Sequence, residues 1–146
     1  MFENLFYSSV SKILSCTISF EDMQDKIKDG NIIINTLPIN EQDCLIKSTL
    51  PYQQEEKTIN DLISRYEYSK RIILYGKNCN DDTVDKKWRQ LRSLGFLEVY
   101  CYRGGLFEWL LLGETYTTNE FPIINKSHSR VIDIYKYRPQ KRFINE

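Results

Sequence analysis

Histidine is nearly missing from this chain. Its 146 residues include one, His128, in a polar stretch near the C-terminus. A Ser-His-Asp triad or an imidazole-based metal site needs a better-placed ring, so the sequence supports neither. Cysteine is sparse in pattern rather than in number. Cys16, Cys44, Cys79 and Cys101 stand far apart and none sits in a C-x-x-C pair, which removes support for zinc and dithiol redox motifs. Net charge is missing too: 20 Lys+Arg balance 20 Asp+Glu, so no global field draws the protein to nucleic acid or membrane. No apolar run approaches the roughly 20 residues that span a bilayer. The opening "MFENLFYSSVSKIL" carries Glu3 and no basic n-region, a poor match to a signal or transit peptide. The thiols are therefore expected to be reduced, in a cytoplasmic compartment. No cofactor or metal is expected.

What is present suits one folded domain. Hydrophobic residues make up 41% and charged residues 27%, ordinary values for a chain long enough to build one core. Phe2, Leu5, Phe6, Val10, Ile13 and Leu14 give residues 1–14 the pattern of a short amphipathic helix, an N-terminal extension. "CTISF" reads as a strand and "SFEDMQDKIKDG" as a helix closed by Gly30. "NIIIN" and "CLIKSTLP" read as short strands. "EEKTINDLISRYEYS" is helical, with Ile59, Leu62, Ile63 and Tyr66 on one face. "RIILYG" is a buried strand, and "DDTVDKKWRQLRSLG" is a helix with Val84, Trp88 and Leu91 facing inward and Gly95 at its end. "FLEVYCY" is a strand and "LFEWLLLG" a short apolar helix. Periodicity fades from about residue 114. Strands alternate with helices, and several strands are apolar on both faces. That predicts an α/β fold: a mostly parallel sheet of about five strands with helices on both faces.

Such sheets bind ligands at the carboxyl ends of their strands. The stretch "RIILYGKNCNDDTVDKKW" places Gly76, Lys77, Asn78, Cys79, Asn80, Asp81 and Asp82 at one of those ends. The loop amides and the following helix N-terminus can bind an anion and lower a thiol pKa, with Lys77 adding positive charge. Asp81 and Asp82 act in the opposite sense, since a neighbouring carboxylate disfavours a thiolate and repels an anion. Asp82, with Asp85 three residues later, has the spacing of a helix N-cap. Arg103, before Gly104-Gly105, either replaces the positive charge that the acids remove or is simply solvated.

The order of these motifs resembles the rhodanese-like domain. "IILYG", "KNCNDD", "KKWRQLRSLGF", "LEVYCY" and "RGGLFEW" follow one another at nearly that family's spacing. In the first half Asn35 stands at the family's Asp position, Leu37 at its Arg position and Glu41 at its acid. "CLIKST" replaces Gly-His-Ile and keeps only Ile46. The resemblance covers roughly residues 16 to 123, giving a domain at 15–123 and a C-terminal arm at 124–146. It implies transfer of sulfane sulfur through a cysteine persulfide. That cysteine normally follows the strand directly, where this chain has Gly76, and Cys79 comes three residues later. A family phosphatase would need Cys-x5-Arg, and the residue six after Cys79 is Asp85, which would repel phosphate.

Two functions stay open. In one, the protein is a sulfurtransferase with Cys79 as the persulfide carrier, helped by Lys77 and Arg103. In the other, it is a catalytically inactive rhodanese-like binding or regulatory module that uses the 76–82 loop. Expected partners are a sulfur donor and acceptor, or a protein. Cys44 would resolve a Cys79 intermediate only with Cα atoms within about 7 Å, while Cys101 and Cys16 read as packing residues, as do Trp109 and Phe107. The tail "NKSHSRVIDIYKYRPQKRF" mixes basic residues with tyrosines, a pattern that can stack on single strands. It reads better as an arm packing Val131, Ile132, Ile134 and Tyr135 on the domain, with neither nucleic acid nor membrane as partner.

Overall fold

Every side chain of the strand Ile72–Tyr75 is buried, and that fact organises the fold. Side chains alternate across a strand, so Ile72 and Leu74 join one core while Ile73 and Tyr75 join the other. A strand buried on both faces needs helices above and below it. The computed structural model describes residues 15–125 and Tyr135. The predicted N-terminal helix and most of the predicted arm lie outside the described residues.

The strands are β1 (Thr17–Ile18), β2 (Ile32–Asn35), β3 (Cys44–Ile46), β4 (Ile72–Tyr75), β5 (Val99–Tyr102) and β6 (Ile123–Asn125). The helices are α1 (Phe20–Lys28), α2 (Tyr52–Ser64), α3 (Thr83–Ser93) and α4 (Gly105–Thr115). Strands β1, β5, β4 and β2 form a four-stranded sheet in that order, with all neighbours parallel. Ile59 and Leu62 of α2 and Val84, Trp88 and Leu91 of α3 pack one face. Met23 of α1 and Leu106 and Trp109 of α4 pack the other, with Phe121 and Tyr135.

Local signals explain the helix ends. Ser19 accepts from the Asp22 amide and Asp22 accepts from the Ser19 amide, a capping box that starts α1. Gly95, at φ +111°, follows α3, and the Phe96 amide reaches back to the Leu91 carbonyl at 3.2 Å. The same closure ends α2, but with a tyrosine in the left-handed position. The Glu67 amide bonds the Leu62 carbonyl at 2.9 Å and the Tyr66 amide bonds Ile63 at 3.1 Å.

One expectation needs correction there. Tyr66 does not continue the inner face of α2: it lies past the helix end at φ +57° and is 82% exposed. The central parallel sheet, with helices on both faces, is as expected; it has four strands, and β3 lies beside it, paired antiparallel with β6. β6 lies where the sequence periodicity had faded, so β3 had no visible partner. Cys101 is buried, as its position in "EVYCY" suggested, and so is Trp109.

Burial also makes the fold sensitive to alkali. The thiols of Cys44 and Cys101 are pushed up from 9.0 to about 11 and about 12, and the Tyr135 phenol from 10.0 to about 12, in each case chiefly by burial. These groups are neutral when protonated, so a raised native pKa favours the folded state only while the unfolded chain would not ionise. As pH rises past about 9 for the thiols and about 10 for the phenol, the unfolded chain gives up these protons first, and stability falls by roughly 1.4 kcal/mol per pH unit for each such group. These groups leave the thermal unfolding midpoint unaffected between about pH 7 and 9 and should make it drop steadily above that. A midpoint unchanged up to pH 11 would contradict this burial.

Candidate functional site

The loop between β4 and α3 is built around an absent side chain. Gly76, buried at the end of β4, leaves a space that a Cβ would fill at 2.4 Å from Asp81 Oδ2 and 2.7 Å from Val84 Cγ2. The Asp81 carboxylate folds back into that space. Its Oδ2 accepts the Lys77 backbone amide at 2.8 Å. Its Oδ1 accepts the Thr83 amide at 3.1 Å and the Thr83 hydroxyl. The loop amides therefore do hold an anion, and the anion is the loop's own aspartate.

This displaces the expected role of Asp82. Asp82 makes no side-chain capping bond to α3, and its backbone is already helical at φ −73°, ψ −10°. Asp81 takes the Thr83 amide instead, two residues ahead, as a capping side chain does. Asp82 is exposed, 3.8 Å from the Lys86 ammonium. Asp85 takes no part in the cap and binds the Arg103 guanidinium.

The two basic residues expected to help an anion are both paired with acids. Lys77 Nζ lies 2.8 Å from Glu41 Oε2, and Arg103 lies against Asp85 Oδ1. Both carboxylate oxygens are buried and, among the described residues, have no hydrogen-bond partner outside these ion pairs. Asn78 is buried and braces the loop: its side-chain amide donates to the Tyr135 carbonyl at 3.0 Å, and its oxygen accepts the Asn80 amide at 3.0 Å. Cys79 and Asn80 are exposed. Cys44 is fully buried in β3 and both it and Cys79 are free thiols, so nothing in the geometry favours a disulfide between them.

The second glycine of "RGGLFEW" explains how α4 reaches the loop. Gly105 has φ +70°, and a Cβ there would lie 2.7 Å from the Gly76 carbonyl and 2.9 Å from the Asn78 amide nitrogen. That close approach lets the Leu106 and Phe107 amides bond the Gly76 and Lys77 carbonyls, each at 2.9 Å. Two of the first-turn donors of α4 are thus used on the loop backbone. Beside the loop, at the carboxyl ends of β2 and β4, a groove of about 530 Å³ is bordered by Thr36, Ile39, Tyr52 and Thr83. Thr83 and Thr36 share a 2.8 Å hydroxyl bond across its rim.

Residues 19–112 match the model of the Rhodanese-like domain. The chain belongs to that family. Solved structures agree on the fold. The rhodanese-like domain of the Alr3790 protein from Anabaena sp. is 18% identical at a TM-score of 0.57, covering 90% of this chain and 96% of that one. The BH2092 protein from Bacillus halodurans is 24% identical at 0.55, covering 76% and 82%. A protein from Lactobacillus plantarum is 15% identical at 0.53, covering 84% and 98%. No curated protein matches the chain. Among the described residues of this rhodanese-like domain no helix is long and apolar enough to cross a membrane, and no cluster of His, Cys, Asp and Glu could hold a metal ion.

Glu41, Thr83, Gly105 and Tyr135 belong to the site although the sequence did not mark them as its parts. For Thr83 a signal was present: Asp81-x-Thr83 is the spacing at which an aspartate accepts the amide two residues on. Glu41 and Tyr135 meet the loop from 36 and 57 residues away (77 − 41 and 135 − 78), and no local spacing announces such contacts.

Proposed function

We propose that this rhodanese-like domain is a catalytically inactive binding module and that Cys79 is not a persulfide carrier. The observation that carries this reading is the Asp81 carboxylate, seated on the Lys77 and Thr83 amides that a sulfur-donor anion would need. A second anion about 4 Å from that carboxylate would be disfavoured by about 4 kcal/mol at an effective dielectric of about 20. That is roughly a thousandfold in affinity. Neither Lys77 nor Arg103 offsets this, because each already faces an acid. Cys79 is exposed on the rim of the loop, whereas the position directly after β4 is Gly76. The exposed part of the loop, with Cys79, Asn80 and Asp82, suits a neutral or cationic partner better than thiosulfate.

The test is a thiosulfate-to-cyanide turnover assay on the wild type and on Cys79→Ser. Both should give the rate of buffer alone. Turnover by the wild type that vanishes in Cys79→Ser would restore the sulfurtransferase reading.

A further inference from the structure

We propose that Tyr135 is a latch through which the C-terminal segment holds the 76–82 loop in order. Tyr135 is fully buried, within the same core cluster as Tyr75, Ile46 and Trp109. It grips two parts of the site at once. Its hydroxyl donates to the Glu41 carbonyl at 2.7 Å, and its own carbonyl accepts the Asn78 side-chain amide at 3.0 Å.

Both contacts lead directly to the loop. Asn78 uses its oxygen to take the Asn80 amide, so the side chain clamped by Tyr135 is also the one that shapes the loop's tip. The two opposed bonds fix the orientation of the Asn78 amide, because its NH2 faces a carbonyl and its oxygen faces an N–H. Glu41, held from its backbone by the Tyr135 hydroxyl, holds Lys77 with its side chain. Lys77 is the residue whose backbone amide carries the Asp81 carboxylate. One residue far along the chain therefore supports the loop on two sides, and removing it would leave buried Asn78 with an unmatched donor, a costly state away from water.

Coupling of this kind is reciprocal: what frees the loop must loosen Tyr135, and what withdraws Tyr135 must loosen the loop. A partner that draws the C-terminal segment away would thereby change the loop surface without touching it. The geometry holds whether or not Cys79 carries sulfur, so this inference and the proposed function fail on different results.

The experiment is amide hydrogen exchange on the full-length wild type, on full-length Tyr135→Phe, which loses the hydroxyl bond to Glu41, and on full-length Asn78→Asp. The last variant keeps the oxygen that receives the Asn80 amide and removes the donor that Tyr135 accepts. Exchange in peptides covering residues 76–82 should rise about five- to tenfold in both variants, the low end of typical couplings between sites. Exchange in α2 should stay at its wild-type rate. In Asn78→Asp, exchange should also rise in the peptide that contains Tyr135. Unchanged loop exchange in both variants would overturn the proposal. So would a rise shared equally by α2, since Tyr135 would then be supporting the whole core rather than the loop.

Discussion

Gly76→Cys is expected to destabilise the protein by about 4 kcal/mol or more without making it an enzyme. The new Cβ would fall 2.4 Å from Asp81 Oδ2 and 2.7 Å from Val84 Cγ2. Asp81 would have to swing out, and the amides of Lys77 and Thr83 would lose a charged acceptor. Bonds to charged groups contribute about 1.5–3 kcal/mol. Crowding Val84, a buried residue of the α3 face, adds about 1–3 kcal/mol of overpacking. The two costs share one cause, so removing Asp81 should relieve part of the first. Gly76→Cys combined with Asp81→Ala should be more stable than the sum of the single variants implies, by about 1 kcal/mol or more.

Only the double variant should take up sulfur from thiosulfate. There the thiolate introduced at position 76 would attack the outer sulfur of thiosulfate. A new S–S bond forms, the old one breaks, and sulfite leaves with its electron pair. The loop amides, freed of Asp81, would receive the resulting anion. Urea unfolding of the four chains, followed by mass measurement after thiosulfate, checks both parts. A single Gly76→Cys variant as stable as the wild type would show that Asp81 does not fill that space.

The second large effect lies across the loop. Gly105→Ala should cost about 3 kcal/mol, since a left-handed φ costs a residue with a Cβ about 1–2 kcal/mol and overpacking about 1–3. The clash here is with backbone, the Gly76 carbonyl and the Asn78 amide, which cannot rotate aside. The helix α4 must back away, and the Leu106 and Phe107 amides then lose the Gly76 and Lys77 carbonyls. At about 2–4 °C per kcal/mol the thermal midpoint should fall by about 10 °C. Gly104→Ala is the contrast. It has φ −58°, and its Cβ would meet the end of the Glu108 side chain, which can move at the cost of its 2.8 Å bond from the Tyr102 hydroxyl. Its effect should be about 1.5 kcal/mol, the low end for one bond to a charged group and half that of Gly105→Ala. Equal effects of the two substitutions in a thermal melt would refute the close packing of Gly105 on the loop.

Much of this fold could be read from the chain because its signals are local. "IILY" is apolar at every position, so β4 had to be central, and Val84, Trp88 and Leu91 mark the inner face of α3 at helical spacing. The order of motifs from "IILYG" to "RGGLFEW" carried the family. Other features depended on contacts between distant segments. β3 looked like a fifth strand because its partner β6 has no periodic pattern. Tyr66 fitted the apolar period of α2, but the period runs on past the turn that ends the helix. In the site, the place of the loop was legible, and so was the opposition between its amides and its acids. Which acid would win was not. That depends on Asp81 folding over Gly76, on Glu41 reaching Lys77 and on Asp85 reaching Arg103.

The most direct test of the central claim, that Asp81 closes the loop to sulfur-donor anions, is intact-mass spectrometry of the reduced protein. It would be exposed to thiosulfate, and separately to a small-molecule persulfide, beside Cys79→Ser. The wild type should keep its mass under both donors. Gain of one sulfur by the wild type, absent from Cys79→Ser and removed by cyanide, would contradict the claim and make Cys79 the carrier.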